Sequence, residues 1–147
     1  MKIYFAAPYS MGAYVLWLQD KAVEIGHEST SSWVEQSAAS DGLDLLPTMS
    51  HQQRAWFIDQ NDRDVKRADL LVAVVARGLG KEMFCEAALA HNLGIPVYWV
   101  GPEDLMPLSA WRVGSAIVPD DTALLAVLRD LAGVDGPHRV RCAVRQV

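Results

Sequence analysis

Short apolar blocks alternate with longer amphipathic stretches along the chain. The clearest block, residues 70–75, reads LLVAVV without polar alternation. Such a run is typical of a strand at the centre of a sheet that helices cover on both faces. Residues 3–7 and 95–100 have the same character, and weaker strands are predicted at 28–33 and 115–118. This rhythm predicts an α/β fold with an open, doubly wound sheet of five parallel strands.

Helices are predicted between and after these strands, at about residues 14–25, 50–66, 82–93 and 122–131. Gly26 and Gly94 are the expected stops of the first and third helices, because glycine readily adopts the left-handed conformation that ends a helix. Asp120 or Asp121 is expected near the N-cap of the last helix. Residues 36–49 contain glycine, proline and small polar side chains, and they predict a loop.

Composition limits the partners and the compartment. The 147 residues fit a single domain, and we assign residues 1–132 to it and residues 133–147 to a C-terminal tail. A net charge of −5 argues against duplex nucleic acid, because phosphate binding needs a basic face. The longest apolar run is far shorter than the roughly 20 residues of a membrane span. Two cysteines make neither a disulfide framework nor a metal site. We therefore expect a cytoplasmic protein with no membrane partner, no metal and no cofactor.

Two glutamates stand where a doubly wound sheet would bind a ligand. Such sheets bind ligands beyond the strand carboxyl ends, where the strand order reverses; in a flavodoxin-like order, residues 8–12 and 77–81 would flank that point. Glu86 follows the second loop among apolar and small neighbours, and burial there would raise the pKa of its carboxyl group. Glu82 lies one turn earlier on the same helical face. Two close carboxylates resist ionising together, which suits a nucleophile and an acid, but the spacing also fits a solvated helix face.

Other residues near these loops have two interpretations each. Tyr4 lies on a buried strand, where tyrosine usually belongs to the core. Asp62 lies in the charged run NDRD, which is typical of a solvated face, and we expect Asp64 in that run to be exposed. The segment GLGK at residues 78–81 lacks phosphate-loop spacing, although its glycines and the following helix start would favour an anion.

Three aromatic residues also fit two roles. Trp33, Trp56 and Phe57 could belong to the core, or they could line a cleft in which a nucleobase stacks. The sequence does not separate these alternatives.

Three segments resemble the nucleoside 2-deoxyribosyltransferase family, which includes the deoxynucleoside 5'-monophosphate N-glycosidases. They are KIYFAAP at residues 2–8, the stretch from Asn61-Asp62 to ADLLVA at 68–73, and EAALA with LGIPV within 86–97. The resemblance covers roughly residues 1–101, and more loosely extends to about residue 132. It implies a flavodoxin-like domain that cleaves or transfers at the N-glycosidic bond of 2'-deoxynucleosides or their 5'-monophosphates. It also implies a homo-oligomer, a dimer or larger.

The matching motifs imply a role for each site residue. Glu86 matches the family's catalytic glutamate, which attacks C1' and forms a covalent deoxyribosyl-enzyme. Asp62 matches the site aspartate, and Tyr4 matches the site tyrosine on the first strand. A second base accepts the sugar in transferases, and water does so in hydrolases. The two loops supply the expected substrate-binding residues besides Tyr4, which are Pro8, Ser10, Gly12, Gly80 and Lys81.

The chain departs from the family pattern at two places. Transferases carry an aspartate six residues before the glutamate, where this chain has Gly80, and Glu82 is the candidate replacement as the acid that protonates the departing base. Nucleotide hydrolases carry an arginine in the loop after the first strand, which the loop PYSMG at residues 8–12 lacks. This difference favours a nucleoside, whereas Ser10, the backbone, Arg77, Lys81 or a neighbouring subunit could hold a phosphate. A non-catalytic nucleotide-binding module on the same fold is the alternative function.

Overall fold

A parallel sheet forms the centre of the protein. The computed structural model describes residues 1–39, 48–76, 81–133 and 145–146. The strands are β1 (Lys2–Ala6), β2 (Glu28–Ser29), β3 (Leu70–Val74), β4 (Val97–Val100), β5 (Ala116–Val118) and β6 (Arg145–Gln146). Their order is β2-β1-β3-β4-β5-β6, and the first five strands pair in parallel. This order confirms the flavodoxin-like, doubly wound sheet. The sequence did not predict β6, which pairs antiparallel with β5.

Helices cover both faces of the sheet. They are α1 (Gly12–Ile25), α2 (Trp33–Ala39), α3 (His51–Lys66), α4 (Lys81–Asn92), α5 (Ala110–Val113) and α6 (Asp121–Ala132). The predicted stops are confirmed, because Gly26 and Gly94 have φ values of 101° and 74°. Ser50 caps α3 through a reciprocal pair of hydrogen bonds with Gln53, and Asp120 caps α6. Among the described helices, none has both the length and the apolar character needed to cross a membrane.

The strand register decides which side chains face which helices. Tyr4 pairs with Leu71, which pairs with Val97, and the next row along the sheet contains Phe5 and Tyr98. Since successive residues of a strand point to opposite faces, Tyr4 and Tyr98 lie on opposite sides. The side of Tyr4 is covered by α3 and α4, which pack against each other, while α1 packs against α2 and α6.

The predicted loop at 36–49 is wrong over residues 36–39, because these residues belong to α2. The predicted strand at 28–33 is likewise limited to Glu28–Ser29. The reason for this difference is a tertiary contact. Trp33 at the start of α2 is buried, and its indole Nε1 donates a hydrogen bond to the carbonyl oxygen of Phe5 at 2.9 Å. This contact fastens α2 to the end of β1, and local composition does not reveal it.

Asp64 is not on a solvated face, which corrects the interpretation of the charged run. Asp64 is only 1% exposed. Its Oδ2 accepts hydrogen bonds from the backbone N and the Oγ of Ser32, at 3.1 and 2.6 Å. Its Oδ1 accepts from Gln60 Nε2 at 3.3 Å. These bonds join α3 to the segment between β2 and α2, so Asp64 helps to fix the position of α3.

Candidate active site

Glu86 is a buried acidic residue in the second turn of α4. The inward face of this helix consists of Met83, Glu86, Ala87 and Ala90, which are all buried. Glu86 is the polar member of this otherwise apolar face, and it is only 9% exposed. The partly desolvated setting that the sequence predicted for Glu86 is confirmed.

Two side chains from different elements hold one oxygen of Glu86. Tyr4 Oη, from β1, donates to Glu86 Oε1 at 2.7 Å. Asn61 Nδ2, from α3, donates to the same Oε1 at 3.1 Å. Among the described residues, Glu86 Oε2 accepts no hydrogen bond. The Glu86 carboxylate is therefore oriented through Oε1, while Oε2 is not held by any residue that the structure describes.

The pKa of Glu86 is raised from its ordinary value of 4.5 to about 7. Burial is the largest cause, because it disfavours the charged form, and the negative charges of Glu82 and Asp62 raise the pKa further. The hydrogen bonds from Tyr4 and Asn61 act in the opposite direction, since they stabilise the carboxylate. Near neutral pH, Glu86 is therefore present in both protonation states.

Tyr4 remains protonated throughout the pH range in which Glu86 titrates. Burial of its ring, followed by the charge of Glu86, raises the pKa of Tyr4 well above its ordinary value. Its hydroxyl therefore serves as a permanent hydrogen-bond donor. The two interpretations of Tyr4 are compatible, because its ring belongs to the core while its hydroxyl reaches Glu86.

Asp62 and Glu82 lie close enough to act on Glu86 electrostatically. The side chain of Asp62 is 45% exposed and forms an ion pair with Lys66 at 4.0 Å. Glu82 is exposed in the first turn of α4. Asn61, the residue beside Asp62, makes the direct contact with Glu86, and the sequence analysis did not single it out.

The other predicted site residues that the structure describes lie after the carboxyl end of β1 or at the start of a helix. Ser10 in the 3₁₀ turn after β1 is exposed, and so is Lys81 at the start of α4. Pro8 is buried, and its carbonyl oxygen accepts from the backbone N of Met11 at 2.8 Å. Gly80 lies outside the described residues.

Gly12 has a packing role. It is buried at the start of α1, and a Cβ atom there would lie 2.1 Å from Ser37 Oγ and 2.5 Å from Ser37 Cβ. Only glycine allows α1 and α2 to approach this closely. Ser37 also donates a hydrogen bond to the carbonyl oxygen of Tyr9, so the segment after β1 is fastened to α2.

An aromatic cluster lies one helical turn from Asn61. Tyr9 packs against Trp33 and Phe57. The centroid of its ring lies 6.2 Å from that of Trp33 and 6.4 Å from that of Phe57. Trp33 is a core residue, Phe57 is partly buried, and Trp56 is 53% exposed, so of its two possible roles the core one is excluded. Tyr9 Oη is buried without a hydrogen-bond partner among the described residues. Sequence reasoning missed Tyr9, although it directly follows Pro8 in the predicted loop.

These groups suit chemistry at an electron-poor carbon. A carboxylate with one free oxygen can stabilise a developing positive charge and then bond to it. Within the described ranges, no group of three or more histidine, cysteine, aspartate or glutamate side chains could hold a metal ion.

The fold and the site define a flavodoxin-like α/β protein with a buried, oriented carboxylate after its central strand. Its structure is similar to that of the 2-deoxyribosyltransferase from Bacillus psychrosaccharolyticus, with a TM-score of 0.65 and 18% identity over 92% of this chain and 93% of that one. It is also similar to a CMP N-glycosidase from Clostridium botulinum, with a TM-score of 0.57 and 17% identity over 89% of this chain and 99% of that one.

A conserved protein from Enterococcus faecalis shares the fold as well, with a TM-score of 0.61 and 17% identity over 89% of this chain and 98% of that one. No family model and no curated protein matches the sequence. At these identities, the three structures show a shared fold.

Proposed function

We propose that the chain belongs to the nucleoside 2-deoxyribosyltransferase family and breaks the N-glycosidic bond of a 2'-deoxynucleoside or its 5'-monophosphate, with Glu86 as the nucleophile. The observation that carries this proposal is the asymmetric environment of the Glu86 carboxylate. Its Oε1 accepts two hydrogen bonds, whereas Oε2 accepts none among the described residues.

The buried Asp64 provides an internal comparison. Both of its carboxylate oxygens accept hydrogen bonds, as is usual for a buried polar group. A structural role explains Asp64 fully, because both of its carboxylate oxygens are already engaged in hydrogen bonds. The free Oε2 of Glu86 has no such explanation, and it is suited to bonding with carbon. Two of the structurally similar proteins are named for deoxyribosyl transfer and for N-glycosidic cleavage, which supports the same chemistry here.

In the proposed first step, Glu86 Oε2 bonds to C1' as the bond between C1' and the base breaks. The electron pair of that bond leaves with the base, which takes a proton from an acid, and exposed Glu82 is the candidate for this acid. In the second step, water or another base attacks C1' and gives a proton to the acid that was ionised in the first step. The bond to Oε2 breaks, and Glu86 returns as a carboxylate. We assign Asp62 to the sugar hydroxyl groups and partly buried Phe57 to the base.

A substrate panel tests this proposal. The pure protein is incubated with the common 2'-deoxynucleosides, their 5'-monophosphates and CMP, and free base is measured by chromatography. CMP is included because one neighbour is named for it. Base release in water alone indicates a hydrolase, and exchange only with an added base indicates a transferase. Binding without turnover across the panel would replace the proposal with the non-catalytic module.

Variants of Glu86 connect the activity to the residue. Glu86→Gln and Glu86→Ala should abolish turnover and the covalent deoxyribosyl adduct, which mass spectrometry of acid-quenched wild-type protein should locate on Glu86. Glu24→Gln, an exposed position on α1, is the matched control and should behave like the wild type. Near-normal turnover by both Glu86 variants, after wild-type contamination has been excluded, would overturn the assignment.

The proposed substrate is the nucleoside in preference to its 5'-monophosphate. The loop at residues 8–12 offers no arginine, and bidentate arginine is the strongest phosphate anchor. Adding a 5'-phosphate should therefore lower kcat/KM, and raising the salt concentration should have little effect. A preference for the monophosphate of at least tenfold, about 1.4 kcal/mol, that disappears in Ser10→Ala or Lys81→Ala would contradict this choice.

A further inference from the structure

Asn61 contacts Glu86 through one polar atom of its side chain and leaves the other buried without a hydrogen bond among the described residues. Its Nδ2 donates to Glu86 Oε1 at 3.1 Å, next to the 2.7 Å bond from Tyr4 Oη. Its other polar atom, Oδ1, is buried without a hydrogen-bond partner among the described residues. An unpaired buried acceptor lowers stability, so folding alone gives no reason for an asparagine at this position.

The backbone that carries Asn61 is held independently of Glu86. One turn further along α3, Asp64 accepts hydrogen bonds from Ser32, and Val65 is buried in the core. At the other end of the helix, the capping box of Ser50 and Gln53 fixes its start. Asn61 therefore approaches Glu86 from a rigid support.

We propose that Asn61 is a positioning residue that holds Glu86 Oε1, so that Oε2 is the oxygen that reaches the reacting carbon. This inference rests on the proposed function and deepens it. Two donors from two elements, β1 and α3, fix the plane of the carboxylate, whereas a single donor would let it rotate about the Oε1 contact. The bond from Asn61 also favours the ionised carboxylate, which is the nucleophilic form.

The groups that act on Glu86 come from three of the described elements, β1, α3 and α4. Tyr4 donates from β1, Asn61 donates from α3, and Asp62 on α3 and Glu82 on α4 contribute negative charge. Removing the Asn61 donor leaves the two negative charges in place. The carboxylate is then less well stabilised, and its pKa must rise.

The test compares Asn61→Ala and Asn61→Asp with the matched control Asn92→Ala, an exposed position at the end of α4. The acid limb of kcat/KM is the part of its pH profile in which the rate falls as the pH is lowered. In Asn61→Ala, this limb should move upward by about half to one pH unit. The kcat should fall about tenfold with little change in KM. Asn61→Asp should move the acid limb further, because it replaces a donor with a third negative charge. Asn92→Ala should match the wild type.

Stability separates positioning from structural support. Since Asn61→Ala removes an unpaired buried acceptor together with the donor, its urea midpoint should equal or exceed that of the wild type at pH 5, where Glu86 is mainly protonated. A marked fall in that midpoint with an unmoved acid limb would overturn the inference in favour of a packing role.

A second readout does not depend on turnover. The ionisation of Glu86 can be followed by carbon NMR of protein labelled at the glutamate carboxyl carbon, with Glu86→Gln identifying the resonance. An upward shift of the Glu86 titration in Asn61→Ala supports the contact even in a protein that turns over no substrate, and that combination would refute only the proposed function. An unchanged titration in an otherwise active enzyme would refute the inference and leave the proposed function standing.

Discussion

Replacing Tyr4 with phenylalanine tests how strongly the fold controls Glu86. The substitution removes one oxygen atom from the core and leaves the ring, so packing is preserved. It deletes the 2.7 Å hydrogen bond to Glu86 Oε1. Because Tyr4 Oη is a donor to the ionised carboxylate, its loss disfavours the charged form of Glu86 and raises the pKa.

The size of the effect follows from the strength of that bond. A hydrogen bond to a charged group contributes about 1.5–3 kcal/mol, which corresponds to about one to two pKa units. The pKa of Glu86 would move from about 7 to about 8–9 in the variant. At pH 7 the ionised fraction would fall from about one half to between about 1% and 10%. If the carboxylate is the nucleophile, kcat/KM at pH 7 drops about 5- to 50-fold and recovers at higher pH.

The assay is the pH dependence of kcat/KM for the best substrate of the panel, measured from pH 5 to 10. Tyr98→Phe is the matched control, because Tyr98 lies on β4 and points to the opposite face of the sheet. Its acid limb should coincide with that of the wild type. An active Tyr4→Phe enzyme whose acid limb stays at the wild-type position would refute the reasoning. A rate loss that does not recover at high pH would show that Tyr4 acts by another route.

Three further predictions concern the charge of Glu86, the role of Asp62 at the sugar and the packing around Gly12. Because the folded-state pKa of Glu86 lies near 7 and its ordinary value is 4.5, the native state gradually loses about 3 kcal/mol of stability as the pH rises through this window. Glu86→Gln should therefore be more stable than the wild type at pH 8 in urea unfolding and similar to it near pH 4, and equal midpoints at pH 8 would contradict the raised pKa. Asp62→Asn should reduce kcat/KM at least tenfold, about 1.4 kcal/mol, whereas the exposed control Asp59→Asn should not; identical kinetics would remove Asp62 from the site. Gly12→Ala should lower stability by about 1–3 kcal/mol through its clash with Ser37 while KM stays unchanged, and a raised KM at full stability would instead indicate a role in substrate binding.

The central strands were predictable because their apolar runs are local features of the sequence. The continuous apolar run of β3 requires burial on both faces, and Gly26 and Gly94 mark helix ends through their own backbone preferences. The helix α2 was not predictable in the same way. It depends on the indole of Trp33 reaching the carbonyl oxygen of Phe5, a contact between residues far apart in the chain. Local composition therefore favoured a loop where tertiary packing forms a helix.

The site was predictable in part. Burial of Glu86 follows from its apolar neighbours on α4, and the resemblance directed attention to Tyr4 and Asp62. The composition of a charged run, however, does not by itself tell which of its members turns inward. Asp64 was placed on the solvated face, although it is 1% exposed, because its partner Ser32 lies 32 residues earlier in the chain.

The inward face of α3 contains a signal that distinguishes Asn61 from Asp62. Phe57, Asn61, Asp64 and Val65 recur at intervals of three and four residues, which places them on one side of a helix. Asp62 lies at the edge of that stripe, and its side chain is 45% exposed. A polar residue on an otherwise buried stripe has to meet a partner or perform a function, and Asn61 meets Glu86. Helical periodicity thus indicates which neighbour in the pair Asn61-Asp62 touches the carboxylate, while the Coulomb effect of Asp62 reaches the carboxylate from the margin of the stripe.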